Sequence, residues 1–408
     1  MRHKVLIVDD AVLVRRMVSD ALAGDPQIEV VGTAANGKIA LAKIPVLNPD
    51  LVVLDVEMPE MDGLTTLVEI RKLWPKLRVV MFSAITTEGA SATLEALERG
   101  ADDVVAKPSG GSIAASVEQV RHELGRRIRG LCQRHEHYPQ QEARHGGEGA
   151  LQPKPADQRP APGDPGMRPA ARPVQPTSAP GSQPRPQVGQ SGSFSGSRNA
   201  VLGPIPARTG PAPKVDAVAI GVSTGGPNAL AELIPRLVKD LPVPVLLVQH
   251  MPPTFTRLLA ERLATKSQVA VVEGADLMEV LPGRVHIAPG GVHMVVERHG
   301  AGVRLRTNSD PPENSCRPAV DPLFRSCCAV WGDHVLTVVL TGMGEDGLRG
   351  GHLLRSRGAW VIAQDQASSV VWGMPGQVAR HGVADQVLPL SKIADEINTR
   401  TRRGGVRS

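Results

Sequence analysis

Three side chains that together can move an acyl group each follow an apolar run in this sequence. Ser223 stands in Gly221-Val222-Ser223-Thr224-Gly225-Gly226-Pro227, behind the apolar run 215–220 and ahead of a helix-like segment. A sharp strand-to-helix turn lifts a hydroxyl above the sheet edge, and flanking glycines let a substrate approach the backbone. The N–H groups that start the helix lack internal partners and can receive developing negative charge. His250 follows Leu247-Val248-Gln249, and Asp346 lies in Leu340-Thr341-Gly342-Met343-Gly344-Glu345-Asp346-Gly347. In acyl transfer an imidazole takes the hydroxyl proton and later returns one to the leaving group, while a carboxylate orients the ring. The pentad around Ser223 fits G-x-S-x-G, but the order Ser, His, Asp disfavours the α/β-hydrolases, which run Ser, Asp, His. The same glycines would suit a plain turn or a phosphate cradle. His286, His293, His334, His352 and His381 are further candidates, so residue types and spacing alone leave the triad open.

A second set of polar residues lies at the ends of apolar runs nearer the N-terminus. Asp9 and Asp10 follow the first run, Asp55 the third, Ser83 the fourth and Lys107 the fifth. Carboxylates gathered in this way form a hard-oxygen site for Mg²⁺, with a lysine free to pair a bound phosphoryl group.

The elements that must position both sets alternate strand and helix, the signature of parallel sheets with polar groups converging at the strands' carboxyl ends. Strands are expected near 4–8, 29–34, 51–54, 78–82 and 103–106, and again near 215–220, 243–249, 269–273, 335–340 and 359–363. Helices are expected in the second half at 228–237, 255–264, 320–329, 347–356 and 393–401. The stretches 284–288, 293–297 and 303–306 look like a small antiparallel meander. The expected fold is α/β: two doubly wound parallel-sheet domains, at 1–125 and 215–402, joined by a disordered linker at 126–214. Fifteen of the 36 prolines fall between 151 and 214, with no apolar period that could build a core.

Composition narrows the setting. The formal net charge is +5. Residues 151–214 carry eight lysines and arginines against two aspartates, so the basic excess sits in the tether and not on a folded face, which argues against a nucleic-acid partner. Cys132, Cys316, Cys327 and Cys328 show no metal-ligand spacing and read as buried thiols in a reducing compartment. No apolar run is long enough to span a bilayer, and no signal sequence precedes the first strand. A cytoplasmic protein without membrane insertion is expected.

Residues 1–125, with Asp55-Val56-Glu57-Met58-Pro59, Asp62-Gly63 and Lys107-Pro108, resemble the flavodoxin-like receiver domain of two-component response regulators. The resemblance implies that Asp55 accepts a phosphoryl group from a histidine kinase. It further implies that Asp9, Asp10, Asp55 and the Glu57 carbonyl hold Mg²⁺, and that Ser83 and Lys107 report phosphorylation. Val104 stands where that family usually has an aromatic residue. The second half carries the Ser223 motif, Gln249-His250-Met251-Pro252, Ile287-Ala288-Pro289-Gly290-Gly291-Val292-His293-Met294, Arg317-Pro318-Ala319-Val320-Asp321, Leu340-Thr341-Gly342-Met343-Gly344 and Gly373-Met374-Pro375-Gly376. Together with the receiver these are similar to the chemotaxis response-regulator protein-glutamate methylesterases and glutaminases. That resemblance implies Ser223 as nucleophile, His250 as base and then acid, Asp346 as orienting carboxylate, and the N–H groups near Thr224 and Met343 as oxyanion donors. No cofactor is implied at the esterase site, and methyl-accepting chemoreceptors are the implied substrates. Glu345 and Cys316 depart from the usual Asn and His of that family. A signalling adaptor that docks a partner without chemistry is the alternative reading.

Overall fold

The computed structural model describes residues 2–84, 86–108, 110, 112–132, 202 and 213–403. In the first half, β1 (His3–Val8), α1 (Val12–Ala23), β2 (Ile28–Ala34), α2 (Gly37–Leu47) and β3 (Leu51–Asp55) are followed by α3 (Gly63–Leu73), β4 (Arg78–Ser83), α4 (Thr87–Glu98), β5 (Asp103–Ala106) and α5 (Ile113–Cys132). The sheet runs β2-β1-β3-β4-β5 with parallel neighbours throughout. Its strands are apolar on both faces because helices cover both. Leu6, Val8, Val52 and Leu54 point into one core, while Val5, Ile7, Leu51 and Val53 point into the other, as a period of two requires. Asn36, Asp62 and Thr86 cap α2, α3 and α4 by accepting from the N–H groups of Ile39, Thr65 and Gly89.

Helix α5 continues to Cys132, past the boundary expected at 125. Leu124, Ile128 and Leu131 keep its apolar stripe buried, and Arg129 pairs with Asp25 at the end of α1. Most of the linker expected at 126–214 lies outside the described residues.

The second half comprises β6 (Ala217–Val222), α6 (Gly226–Leu233) with a 3-10 turn at Ile234–Arg236, β7 (Val245–Gln249), α7 (Phe255–Lys266), β8 (Ala270–Glu273) and β9 (Arg284–Ile287). It continues with β10 (His293–His299), β11 (Gly302–Asn308), α8 (Val320–Trp331), β12 (Val335–Val339), α9 (Leu348–Ser356), β13 (Trp360–Gln364), α10 (Met374–Arg380), β14 (Gln386–Leu388) and α11 (Leu390–Arg403). Seven parallel strands form one sheet in the order β14-β13-β12-β6-β7-β9-β8. The antiparallel part is smaller than the expected meander. Among the described strands, β10 and β11 alone pair antiparallel, while β9 enters the main sheet between β7 and β8. Val285, His286 and Ile287 are all fully buried there, so both faces of the strand are covered, which a hairpin with one face toward solvent would not do. Among the described residues, no helix is long and apolar enough to cross a membrane.

Among the described residues, His286 and Thr337 of this sheet are fully buried with no hydrogen-bond partner, and His286 is the titratable one. His286 in β9 is 0% exposed, and neither ring nitrogen has a hydrogen-bond partner. Burial, helped by the nearby Arg284 charge, pushes its pKa down to about 4 from the ordinary imidazole value of 6.5. An unfolded chain takes up this proton near pH 6.5 and the folded one only near 4, so stability falls as pH drops through that window. The full loss at the acid end is about 3 kcal/mol. Thermal unfolding of His286→Leu between pH 7 and 4 is expected to show a correspondingly shallower fall in Tm than the unaltered chain.

Candidate functional site

Strand order places the polar residues together. β6 lies at the middle of the sheet with β7 on one side and β12 on the other, so the chain reverses its winding at β6. Open α/β sheets form a crevice outside the carboxyl ends at such a point. Ser223 follows β6, His250 follows β7 and Asp346 follows β12. The turn after β6 is held by Ser223 N–H donating to Thr341 O at 3.0 Å, and by Gln249 Nε2 donating to Ser223 O at 3.0 Å. Gly225 has φ 75°, and a Cβ there would also meet Val370, so glycine is required. A Cβ on Gly342 would come within 2.8 Å of Ser223 Cβ, which brings the backbone before Met343 directly against the serine. Among the described residues, the N–H groups of Thr224 and Met343 have no internal acceptor.

The histidine and aspartate form the most tightly held pair at the rim. His250 Nε2 lies 2.8 Å from Asp346 Oδ2, with side chains only 5% and 2% exposed. That carboxylate also accepts from Val320 N–H at 2.7 Å, from the N–H groups of Asp321 and Gly347 at 3.0 Å, and from Asn314 Nδ2 at 2.9 Å. Burial opposes its charge, but His250 and these N–H groups hold Asp346 below the usual carboxylate range. Since Nε2 faces Asp346, proton exchange with a serine falls to Nδ1. Nδ1 is buried and has no hydrogen-bond partner, so the Ser223–His250 hydrogen bond is not formed in this structure.

Asp321 and Asn314 belong to this network and were not among the expected site residues. Asp321 accepts from Gly347 and Gly350 N–H groups and shares the Asn314 amide with Asp346. Burial, then the Asp346 charge, pushes the Asp321 carboxyl up to about 7. Asp321 closes the Arg317-to-Asp321 motif, and an Asp in the first turn of α8 was the available signal. Of the competing histidines, His293 is spent on structure: its Nδ1 accepts from Ala319 N–H, so its Nε2–H donates to Pro311 O. Glu345 does not turn inward; it is half exposed, 4.0 Å from Arg349.

The receiver's strand ends converge in the same manner. Oxygens of Asp9, Asp10 and Asp55 lie within 4.8 Å of one another, a donor set that fits a hard divalent cation. Lys107 Nζ bridges Asp9 Oδ2 at 2.8 Å and Asp55 Oδ2 at 2.7 Å. Burial pushes the Asp55 carboxyl up to about 6 despite the Lys107 charge. Ser83 is buried at the end of β4, its hydroxyl 3.3 Å from Gly89 O. Glu57 is exposed beside the cluster, and Val104 is buried in β5.

Receiver and rim meet in one compact unit. Asp103, at the start of β5, accepts from Thr224 Oγ1 at 2.8 Å and pairs with Arg127 of α5 at 3.2 Å. A Cβ on Gly130 of α5 would lie 2.8 Å from Met343 Sδ. Both oxyanion candidates are therefore in contact with receiver residues. Asn228 of α6 lies 3.5 Å from Ala101 O, and Lys266 of α7 pairs with Glu98 at 2.6 Å.

Comparison with known proteins separates the same two segments. Residues 218–397 match the CheB methylesterase family and residues 5–117 match the response regulator receiver domain. The chain is 44% identical over 397 residues to a protein-glutamate methylesterase/protein-glutamine glutaminase of Trichodesmium erythraeum, covering 97% of this chain and 98% of that one. It is 45% identical over 401 residues to a protein of the same description from Nocardioides sp., covering 98% and 96%. Among solved structures, the Thermotoga maritima CheB methylesterase catalytic domain is 41% identical, covering 46% of this chain and 98% of that one, with a TM-score of 0.45.

The carboxylate network is testable without substrate. Asn314 has φ 51°, so Asn314→Gly keeps the backbone while removing the one amide shared by two buried carboxylates. A loss of about 1–3 kcal/mol in denaturant unfolding is expected.

Proposed function

The chain belongs to the protein-glutamate methylesterase/protein-glutamine glutaminase family, with a receiver domain ahead of its CheB methylesterase domain, and from that premise we propose how its own residues act. Its substrates are glutamate γ-methyl esters on methyl-accepting chemoreceptors, and receptor glutamines. Ser223 Oγ attacks the γ-carbonyl carbon while His250 Nδ1 takes the hydroxyl proton. Asp346 stabilises the resulting imidazolium at Nε2. The N–H groups of Thr224 and Met343 receive the oxyanion. His250 then protonates the leaving methoxide or amide nitrogen, releasing methanol or ammonia and leaving an acyl-Ser223 ester. Water attacks that ester with His250 again as base, which restores the serine and yields glutamate. The observation that carries this reading is the buried His250–Asp346 pair at the switch point, one strand from Ser223.

The receiver ends with α5, and the catalytic domain occupies 215–402. Asp55 receives a phosphoryl group from a histidine kinase. Asp9, Asp10, Asp55 and the Glu57 carbonyl would hold Mg²⁺, whose charge offsets that of the incoming phosphoryl oxygens. Lys107 and Ser83 turn to the new phosphoryl oxygens. The contacts of Asp103 with Thr224 and of Gly130 with Met343 support a closed state in which the receiver covers the oxyanion donors. Phosphorylation shifts the population toward an open one.

Ser223→Ala is expected to bring methanol release from methylated receptor membranes to background, a loss on the order of 10⁶-fold. Residual turnover near the unaltered rate would end the nucleophile assignment. With acetyl phosphate as phosphodonor, release should rise in the unaltered chain and stay flat in Asp55→Asn, and equal stimulation of both would remove Asp55 from the switch.

A further inference from the structure

Each oxyanion candidate is the N–H end of a peptide whose carbonyl end is held from behind. Thr224 N–H shares its peptide with Ser223 O, which accepts from Gly226 N–H at 2.8 Å and from Gln249 Nε2 at 3.0 Å. Met343 N–H shares its peptide with Gly342 O, which accepts from Gly373 N–H at 3.0 Å and from Met374 N–H at 2.8 Å, at the start of α10. A trans peptide is planar with its C=O and N–H pointing opposite ways, so fixing the oxygen aims the hydrogen. Backbone alone holds the Gly342 carbonyl, and a Cβ on Gly373 would lie 2.7 Å from that oxygen, so the approach needs glycine. The Ser223 carbonyl depends on a side chain as well. Gln249 ends β7 directly before His250 and is 2% exposed. Its Nε2 also reaches His250 O at 3.4 Å, while its Oε1 is buried and has no hydrogen-bond partner. Turning the amide over would set Oε1 against two carbonyl oxygens, so this orientation is the one the site allows. A Cβ on Gly226 would run into Oε1, so the second glycine of the Ser223 motif makes room for the amide. A buried amide with its acceptor unmet is a poor choice for stability alone.

We propose that Gln249 is a positioning residue for the oxyanion: by holding Ser223 O it aims Thr224 N–H at the charge that develops on the substrate, and it keeps that peptide from turning over. The inference rests on the serine-hydrolase reading above and deepens it. Donation to a carbonyl also polarises the N–H of the same peptide, so the glutamine strengthens the donor that it aims. A dipole fixed before charge develops needs no reorganisation when the charge arrives. Asp103 of the receiver takes Thr224 by its hydroxyl and not by this N–H, so the donor is already aimed in the closed chain. Closure covers the donor without dismantling it.

Two measurements on the full chain test this. Ser223-Thr224 is the one Ser-Thr step in the sequence, so protein labelled with carbonyl-¹³C serine and ¹⁵N threonine gives a single carbonyl–amide cross-peak by NMR. In Gln249→Met, which keeps the length of the side chain without its donor, the carbonyl resonance is expected to move upfield as the hydrogen bond is lost. Methanol release from methylated receptor membranes is then followed for the same variant. Its kcat should fall about 10²-fold with KM unchanged, the mark of an interaction made only in the transition state. The factor should be the same with and without acetyl phosphate. The acid limb of the rate profile reports the base and should stay in place. Gln249→Leu, a second variant without a donor, carries the same expectations. An unmoved cross-peak, a loss confined to KM, or a displaced acid limb would overturn the proposal. Absent turnover in the unaltered chain would instead count against the serine-hydrolase reading, while the cross-peak would still decide what Gln249 holds.

Discussion

A fully buried carboxylate is the constraint around which the esterase half is arranged. Asp346 is 1% exposed, and a charge so placed is tolerable only if its oxygens are surrounded by donors. Those donors come from four places: the N-terminus of α8, the loop carrying Asn314, Gly347 at the start of α9, and the ring of His250. Satisfying one aspartate therefore fixes the start of a helix, the path of a loop and the orientation of an imidazole. Asp321 does similar work one step outward, tying α8 to the first turn of α9 through Gly347 and Gly350. The catalytic geometry and the local fold are the same set of hydrogen bonds.

Much of this was legible in the sequence, for a physical reason. Parallel strands buried on both faces are continuous apolar runs, so β1, β3, β4, β6, β7 and β12 announce themselves, and a polar residue directly after such a run must sit at the carboxyl edge. What resisted reading depended on neighbours distant in sequence. The run 284–288 has the length and alternation of a hairpin strand, and only the space between β7 and β8 decides that it runs parallel there. β14 is three residues long with none buried, too weak a signal to separate from loop. Asn314 shows nothing in its own surroundings; its importance arises because two carboxylates need one amide. The thiol at Cys316 looked structural because Arg126, its partner, is 190 residues away.

The receiver's two ends do different chemistry through one short strand. Lys107, just after β5, bridges Asp9 and Asp55, while Asp103, at the start of β5, touches Thr224. Four residues of extended chain span about 13 Å, so the proposed phosphoryl site and the esterase rim are linked by a single element without intervening joints. Lys107 now neutralises two carboxylates that would otherwise repel. A phosphoryl group on Asp55 adds charge at that point, and any movement of Lys107 toward it pulls on the strand whose other end holds Asp103 against the serine loop.

For such a switch to work, closure must be weak enough to be undone. A shift from 1:99 to 99:1 takes about 5.5 kcal/mol. The outer contacts fit within that range: Glu98 with Lys266 is 40% and 49% exposed, and exposed ion pairs contribute about 0–1 kcal/mol. The inner polar contacts are buried, with Asp103 accepting from Thr224 and Arg126 resting on the Cys316 sulfur. Their strength lies in position more than in energy, since they lie at the rim of the proposed esterase site. The same face also buries apolar side chains, Leu94 and Leu97 of α4 in one core with Leu259 and Leu263 of α7, and α5 in another with Val371, so closure combines polar contacts next to the serine loop with hydrophobic packing around it.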